Sequence, residues 1–296
     1  MNSIIRLIRI KQWIKNLFLF APLVFSQNLF EGDYFSKVLI GFITFCFLAS
    51  AVYILNDIAD VENDRKHPIK KHRPIASGEV KVPLAILLAV LLIFLVVVSA
   101  VNQNYKFNLA LLSYLTVNIA YTYKFKNVVL LDIFSIAFGF MIRIMAGAFI
   151  VNIEVSSWLI LCTLFLSLFL AITKRRSEIT LVEEQNLNNT RKVLSDYSIT
   201  FADQMSTIVA SGAVISYALY TVSERTREIF HTENLIFTTP FVVFGIFRYL
   251  FLVHKKNLGE NPTAVITTDI PMIVNLFLWL LSAILIIYKT KFDITL

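Results

Sequence analysis

The chain has 296 residues, 57% of them hydrophobic, and its mean hydropathy is +0.71. Soluble domains are only about 45–50% apolar, so this composition excludes an ordinary soluble protein and predicts a polytopic membrane protein. The net charge of +7 would suggest nucleic-acid binding in a soluble protein. Here it fits basic loops on one side of a membrane, and we expect no nucleic-acid partner.

The N-terminal segment, MNSIIRLIRIKQWIKN, alternates short apolar runs with basic residues. It has neither the long apolar core nor the cleavage site of a signal peptide, so the pattern indicates an amphipathic segment at the membrane interface. Lys15, next to Asn16, is a candidate for binding a substrate phosphate. The alternative is that it anchors the segment at the interface beside Trp13.

Apolar segments long enough to cross a bilayer as helices follow along the chain, and we count nine of them. The expected bounds are residues 15–30, 34–55, 83–101, 107–123, 128–151, 155–173, 204–222, 235–253 and 270–288. The first segment is short and contains Pro22. We expect a single all-helical membrane domain across residues 1–296.

The basic residues give this topology a direction. Most lysines and arginines fall on one side of the membrane if the N-terminus is cytoplasmic and the C-terminus lies outside. The long polar loops, at about 56–82, 174–203 and 254–269, fall on that same side. Because functional residues concentrate in such loops, we expect a cytoplasm-facing active site.

Acidic residues crowd the end of the second span in the stretch NDIADVEND. If the helix continues, Asn56, Asp57, Asp60 and Asp64 recur at three- and four-residue spacings and share one face. Like charges repel there, and the helix dipole disfavours acids at a C-terminus, so something must neutralise them. Oxygen-only ligands favour Mg²⁺, which commonly binds substrate phosphates as well. Asp57, Asp60 and Asp64 are therefore the predicted metal ligands and catalytic residues, with Asn56 as a polar helper.

Basic residues follow at once, interrupted by Pro68 and Pro74. Lys66, Lys70 and Arg73 are candidates for holding the oxygens of a diphosphate and stabilising it as it departs. The alternative, an ordinary solvated loop, explains the bases but not the helical spacing of the acids.

Further basic candidates lie later in the chain. Arg143 falls within the fifth span, where a charge indicates function, although a structural polar network is the competing interpretation. Lys174, Arg175 and Arg176 follow the sixth span and could bind a second phosphate; the alternative is that they only mark the end of that span.

The stretch NDIADVENDRKHPIKKHRPIASG resembles the first aspartate-rich motif of the UbiA superfamily of intramembrane prenyltransferases, N-D-x-x-D-x-x-x-D followed by R-P-x-x-x-G. The loop after the sixth span begins TKRRSEITLVEE and lacks that superfamily's second motif, D-x-x-x-D. Several stretches are similar to the decaprenyl-phosphate phosphoribosyltransferase branch: RIKQWIKNLFLFAPLVFS, FGFMIRIMAGAF, AITKRRSEI and FRYLFLVHKKNLGENP.

This resemblance implies a UbiA-type bundle of about nine helices in the bacterial inner membrane. It also implies Mg²⁺-dependent transfer of a 5-phosphoribosyl group from phosphoribosyl pyrophosphate to a polyprenyl phosphate, for the synthesis of cell-envelope polysaccharide precursors. One alternative is prenyl transfer from a polyprenyl diphosphate to an aromatic or lipid acceptor. Another is a non-enzymatic carrier of anionic lipid. Polyprenyl length and oligomeric state stay open.

Overall fold

The computed structural model describes residues 3–67, 70–185, 192–256, 258–259, 262–289 and 291, and every regular element in these ranges is helical. The α-helices are α1 (Ser3–Ile8), α2 (Ala21–Val24), α3 (Gly32–Ala59), α4 (Val61–Lys66), α5 (Val82–Ala100), α6 (Tyr105–Tyr123), α7 (Leu131–Ile150), α8 (Ser157–Gln185), α9 (Ile199–Val222), α10 (Glu224–Phe230), α11 (Thr239–Lys256), α12 (Pro262–Thr268) and α13 (Ile270–Tyr288). Short 3₁₀ segments are Ile10–Phe20, Lys70–His72, Phe125–Asn127, Lys192–Asp196 and Asn234–Thr238.

Within the described residues, seven helices are long and apolar enough to cross a membrane. They coincide with seven of the predicted segments: Gly32–Ala59, Val82–Ala100, Leu131–Ile150, Ser157–Glu183, Ile199–Val222, Asn234–Lys256 and Ile270–Tyr288. The all-helical membrane architecture is therefore confirmed, and the total of nine spans stays a prediction.

The predicted first span, residues 15–30, differs from the observed structure. A 3₁₀ segment, Ile10–Phe20, is followed by the four-residue helix α2 and then by turns, so no long helix forms here. Polar contacts hold the segment against α3: Trp13 Nε1 donates to Ser50 Oγ (3.0 Å), and Asn16 Nδ2 contacts Cys46 Sγ (3.2 Å). The segment therefore packs on α3 as a 3₁₀ segment and a short helix rather than as the single long helix that its apolar run predicted.

The predicted fourth span, residues 107–123, is the helix α6. Asn104 caps its N-terminus by accepting a hydrogen bond from the Phe107 amide (2.8 Å), as expected of an asparagine in that position. The helix carries several tyrosine, asparagine and threonine residues, which explains why it is less apolar than its neighbours and is not among the seven.

One compact unit comprises Met1–Leu23, Glu31–Ser135 and Ile142–Glu154. In it, α5 packs along α3 through a stripe of small and branched side chains and leaves Leu87 and Phe94 exposed, as expected of a lipid-facing helix. Ile75 and Val80, in the loop between α4 and α5, are buried in the same core. That loop is therefore fixed against the helices. The buried core residues are Leu7, Ala51, Ile54, Ile75, Val80, Ala85, Ala89 and Leu92.

A second compact unit comprises Val24–Phe30, Ile136–Met141 and Val155–Leu296. Here α8 packs along α9, and α11 contacts both α9 and α13. Gly212 allows the close approach of α8 and α9, because a Cβ atom there would lie 2.8 Å from the ring of Phe165. The prediction of one domain across residues 1–296 stays a prediction.

Candidate active site

The acidic stretch forms where α3 ends and α4 begins. Asp60 lies between the two helices with φ −98° and ψ 5°, but the backbone hydrogen bonds continue through it, from Asp60 N to Asn56 O (2.9 Å) and from Asp64 N to Asp60 O (2.8 Å). The four-residue spacing is therefore kept across the break. Asp57, Asp60 and Asp64 are all buried, at 2%, 9% and 4% exposure, which is unusual for carboxylates and requires partners.

Arg73 joins two of these aspartates. Its Nη1 donates to Asp57 Oδ1 (3.1 Å) and to Asp64 Oδ2 (2.7 Å). Because both oxygens contact the same nitrogen, they lie no farther apart than the sum of these two distances. The structure thus brings together three of the predicted site residues: Asp57, Asp64 and Arg73.

The loop that carries Arg73 is held in place from both sides. Ile75 and Val80 are buried in the core, and Gly78 takes a positive φ of 78° that allows the chain to turn back towards α5. On the outer side, Arg6 Nη1 contacts both carboxylate oxygens of Glu79 at 3.0 Å. The guanidinium of Arg73 is therefore positioned by buried anchors rather than by a flexible loop.

The N-terminal segment supplies a second base that the sequence did not single out. Arg9 Nη2 donates to Asp57 Oδ1 (2.5 Å), and its guanidinium lies 5.0 Å from the ring centre of Tyr53. Arg9 itself has a left-handed backbone, with φ 57° and ψ 48°, between α1 and the 3₁₀ segment. No spacing rule connects residue 9 with residue 57, so only the folded chain shows that Arg9 belongs to the site.

A third base, Lys126, pairs with Asp60. Its Nζ lies 2.5 Å from Asp60 Oδ1, and each side chain is 12% exposed. Close by in the sequence, Thr122 Oγ1 donates to Asn56 Oδ1 (3.2 Å), which connects the predicted polar helper to α6. Lys126 lies in the short link between α6 and α7. From the sequence it is one of the many basic residues that indicate the cytoplasmic side, and nothing there connects it with Asp60.

The donor atoms of the site fit a magnesium ion. Mg²⁺ binds oxygen ligands and typically takes one or two carboxylates from a protein, with water and substrate phosphates filling the remaining positions. Asp57 and Asp64 offer such a pair of buried carboxylates. In the described part of the chain, however, no three His, Cys, Asp or Glu side chains converge as a metal-binding group, and Asp60 contacts Lys126. A metal site that includes Asp60 stays a prediction.

Burial changes the acidity of Asp64. Its pKa is raised above the usual aspartate value, chiefly because the carboxylate is shielded from water, and the nearby charge of Asp57 adds to the effect. Arg73 acts in the opposite direction and favours the ionised form. A further positive charge near Asp64, such as that of a divalent cation, would stabilise its ionised form.

The other predicted phosphate-binding lysines of this unit differ in exposure. Lys66, the last residue of α4, is exposed, and Lys70, beyond the end of that helix, is half-buried. Lys70 is close enough for its charge to act on Asp64. Lys15 is half-buried on the 3₁₀ segment Ile10–Phe20, one residue before the fully buried Asn16.

Arg143 is buried in α7 and engages other residues of the protein. Its Nε donates to Asn16 Oδ1 (2.7 Å), its Nη2 donates to Tyr114 Oη (2.8 Å), and its guanidinium lies 4.6 Å from the Tyr114 ring centre. These contacts favour the structural polar network over direct phosphate binding, because the Arg143 charge is already solvated by protein groups.

The basic residues of α8 belong to the second unit and differ from one another. Arg175 is only 2% exposed and pairs with Glu178 one turn along the helix. Lys174 is 40% exposed and reaches the same Glu178 at 3.7 Å. Arg176 instead donates through Nε to Asp203 Oδ1 on α9 (2.6 Å). The sequence predicted one basic cluster, and the structure distributes it between two acidic partners.

Comparison with known proteins identifies the family of this chain. A profile of the UbiA prenyltransferase family matches residues 18–281. The decaprenyl-phosphate phosphoribosyltransferase of Corynebacterium glutamicum is 35% identical over 293 residues, covering 97% of this chain and 87% of that protein. The enzyme of the same name from Mycolicibacterium smegmatis is 37% identical over 226 residues, which cover 75% of this chain and 71% of the length of that enzyme.

Solved structures show the same fold. A UbiA homologue from Archaeoglobus fulgidus, determined with GPP and Mg²⁺, superimposes with a TM-score of 0.70 at 20% sequence identity. The superposition covers 96% of this chain and 99% of that protein. At this identity the likeness concerns the fold alone.

Proposed function

Because the chain belongs to the UbiA prenyltransferase family and is a transferase, we propose that it moves a 5-phosphoribosyl group from phosphoribosyl pyrophosphate to a polyprenyl phosphate and releases pyrophosphate. The observation that carries this proposal is the 35% identity to a decaprenyl-phosphate phosphoribosyltransferase along 97% of the chain. The buried aspartates beside Arg73 and Arg9 support it, since they offer ligands both for a cation and for the phosphates it accompanies.

Mg²⁺ is part of this proposal. Asp57 and Asp64 would hold the ion, with Asp60 as the further predicted ligand, and the bound ion would neutralise negative charge on the diphosphate of the donor. Arg73 contacts both Asp57 and Asp64, so its guanidinium would be available to stabilise the charge on a pyrophosphate that departs from an ion held there. Lys66, Lys70 and Asn56 would complete the polar surroundings of that group.

The reaction needs little acid–base chemistry. The bond between ribose C1 and the pyrophosphate oxygen breaks, and an oxygen of the lipid phosphate forms the new bond to C1 from the opposite face, so the configuration at C1 inverts. The attacking phosphate oxygen is already anionic and requires no strong base. The contribution of the chain would therefore be positioning and electrostatic stabilisation, with Arg73 and Arg9 as the bases beside the aspartates.

Two further phosphates need partners besides the diphosphate, namely the 5-phosphate of the sugar and the phosphate of the lipid. We assign the bases outside the aspartate site to these groups: Lys15, Lys174, Arg175, Arg176 and, if its network opens, Arg143. The lipid would come from the bilayer and the sugar from the cytoplasm. This arrangement assumes the bacterial inner membrane and a cytoplasmic N-terminus, as the distribution of basic residues predicts.

Prenyl transfer is the second candidate, and the name of the family favours it. A prenyl diphosphate donor would use the same aspartates around Asp57. However, the segment at the end of α8 reads TKRRSEITLVEE and has no D-x-x-x-D motif for a second acidic cluster. The bases there suit a donor or acceptor that carries an additional phosphate.

One assay decides between these functions. The purified full-length protein is incubated with Mg²⁺, polyprenyl phosphate and ¹⁴C-labelled phosphoribosyl pyrophosphate, and lipid-soluble label is measured together with released pyrophosphate. We expect labelled lipid only when both substrates are present. If pyrophosphate is released instead from a polyprenyl diphosphate with an aromatic acceptor, and none from phosphoribosyl pyrophosphate, prenyl transfer replaces this proposal.

A further inference from the structure

Three helices of the second unit meet at one carboxylate oxygen. Asp203 Oδ1, near the start of α9, accepts a hydrogen bond from Arg176 Nε on α8 (2.6 Å) and contacts His254 Nε2 at the end of α11 (3.1 Å). We call these three residues the Asp203 cluster. Arg176 is 12% exposed, while Asp203 and His254 are 36% and 34% exposed, so the cluster is open to solvent on one side only.

The ring of His254 is contacted at both nitrogens. Its Nδ1 lies 2.9 Å from the carbonyl oxygen of Leu250, and its Nε2 lies 3.1 Å from Asp203 Oδ1. These two contacts orient the ring, and the ring in turn holds the carboxylate that Arg176 contacts.

The guanidinium of Arg176 is only partly used. Its bond to Asp203 through Nε is the one side-chain hydrogen bond that it makes within the described residues. Among the described residues, no side chain hydrogen bonds to the edge formed by Nη1 and Nη2, and this fork matches two oxygens of a phosphate. Arg175 differs, because it is buried and paired with Glu178.

The chain after α11 packs against α8 close to Arg176 in the sequence. A Cβ atom at Gly259, five residues after His254, would lie 2.0 Å from Ser177 Oγ and 3.2 Å from the Thr173 carbonyl oxygen. Ser177 directly follows Arg176 in α8, so the turn of α8 that carries Arg176 is fixed by packing on its neighbouring face.

From these contacts we infer that the Asp203 cluster binds a phosphate monoester, with Arg176 as the binding residue and with Asp203 and His254 as positioning residues. The inference rests on the proposed function, which supplies two candidates of this chemistry, the 5-phosphate of the sugar and the phosphate of the lipid. Asp203 holds the guanidinium of Arg176 through Nε, and the fork of Nη1 and Nη2 has the geometry that binds two oxygens of a phosphate monoester.

The variant Asp203→Asn gives the sharpest test because two explanations predict opposite signs. If charge alone governed anion binding, removing the negative charge of Asp203 would tighten the binding of a phosphate. If Asp203 positions the Arg176 fork, the same variant releases the guanidinium and weakens binding, by about 3- to 10-fold. A purely structural clamp between helices would change the melting temperature and leave phosphate affinity unchanged.

The probes are ribose 5-phosphate and dodecyl phosphate, whose affinities for the detergent-purified full-length protein are measured calorimetrically without turnover. We expect Arg176→Gln to weaken one of them about 10- to 100-fold, the range of a charged hydrogen bond, and to raise KM for the matching substrate more than it lowers kcat. Arg176→Lys keeps the charge but loses the fork, so it should recover part of the affinity. If ribose 5-phosphate binding weakens, the site binds the phosphate of the sugar; if dodecyl phosphate binding weakens, it binds the phosphate of the lipid.

Arg227→Gln is the matched control. It breaks another ion pair of the same unit, with Glu233, beyond the far end of α9, about 30 Å along that helix from Asp203. We expect it to leave both affinities unchanged. His254→Gln can still hydrogen bond to Asp203 without carrying a charge, and should weaken binding about 2- to 3-fold.

The inference is overturned if Arg176→Gln and Arg176→Lys bind both probes as the unmodified protein does, or if Asp203→Asn binds them as tightly or more tightly. Failure of the proposed function gives a different result. In that case the unmodified protein makes no labelled lipid from phosphoribosyl pyrophosphate, whatever the variants do to the affinities of the two probes.

Discussion

The ion pair between Lys126 and Asp60 allows a quantitative prediction about stability. Replacing Lys126 by methionine keeps the apolar stem but leaves the Asp60 carboxylate in its site without its partner. The two side chains are each 12% exposed, and the atoms are 2.5 Å apart. Breaking a buried pair costs about 3–5 kcal/mol and breaking an exposed pair about 0–1 kcal/mol. This pair lies nearer the buried limit, so we expect a loss of about 2–3 kcal/mol in the free energy of unfolding.

The double-mutant cycle isolates the pair itself. Asp60→Asn alone should cost less, about 1 kcal/mol, because the freed ammonium of Lys126 can extend towards water on its flexible stem. The double variant should be nearly as stable as Asp60→Asn, which gives a coupling of about 2 kcal/mol. Saturating Mg²⁺ should restore part of the stability lost in Lys126→Met if Asp60 is also a metal ligand, because a bound ion would replace the missing positive charge.

The two cysteines of the chain can report the melting temperature. Cys46 is a free thiol and only 1% exposed, and Cys162 is a second, partly buried one. A thiol-reactive fluorophore added to the detergent-purified protein therefore reports unfolding on heating. We expect Lys126→Met to lower the melting temperature by about 5–10 °C, given roughly 2–4 °C per kcal/mol for chains of somewhat smaller size. Arg65→Met, which breaks the exposed pair with Glu62, serves as control. Additive losses in the double variant, or a loss no larger than that of the control, would refute the reasoning.

Three further predictions concern residues of the first compact unit. Asp57→Asn and Asp64→Asn should each remove most transferase activity while shifting the melting temperature by only about 3 °C or less, because the relief of repulsion between the two acids offsets the weakened contacts with arginine. Near-normal turnover of both variants at saturating Mg²⁺ would contradict the metal assignment. Because burial raises the pKa of Asp64, Mg²⁺-dependent activity should begin to fall at a higher pH than for an ordinary aspartate. A raised pKa means that folding disfavours the ionised carboxylate of Asp64. The unmodified protein should therefore gain stability relative to Asp64→Asn as the pH drops through the raised pKa. Activity and melting temperature measured over the same series of pH values would show both effects. Gly147→Ala should cost about 3 kcal/mol, because the new Cβ would lie 2.0 Å from the backbone oxygen of Leu19, whereas Gly32→Ala, with no atom within 4 Å, should melt unchanged.

Much of the molecule could be predicted from local patterns. Apolar runs determine membrane helices because a bilayer requires every backbone group to be hydrogen-bonded within the segment. Seven predicted spans therefore coincide with observed helices, although the helix of the sixth span continues ten residues past its predicted end at residue 173, to Glu183. The spacing of Asp57, Asp60 and Asp64 is likewise local, because helical geometry brings residues three and four apart to one face. The family could be named from that motif alone.

Only the tertiary structure decided which bases meet those acids. Arg9 and Lys126 are 48 and 66 residues from the aspartates they contact, and no periodicity connects positions so far apart. The same holds for Arg176, which looked equivalent to Arg175 in the sequence but lies one helical position, about 100°, around α8 and so reaches α9 instead of Glu178. The conformation of the segment 15–30 is a related case. Its apolar run predicted a long helix, whereas the folded chain has a 3₁₀ segment, Ile10–Phe20, whose Trp13 and Asn16 side chains contact α3. Sequence thus determines what depends on neighbours along the chain, whereas contacts between distant charges depend on how the helices pack.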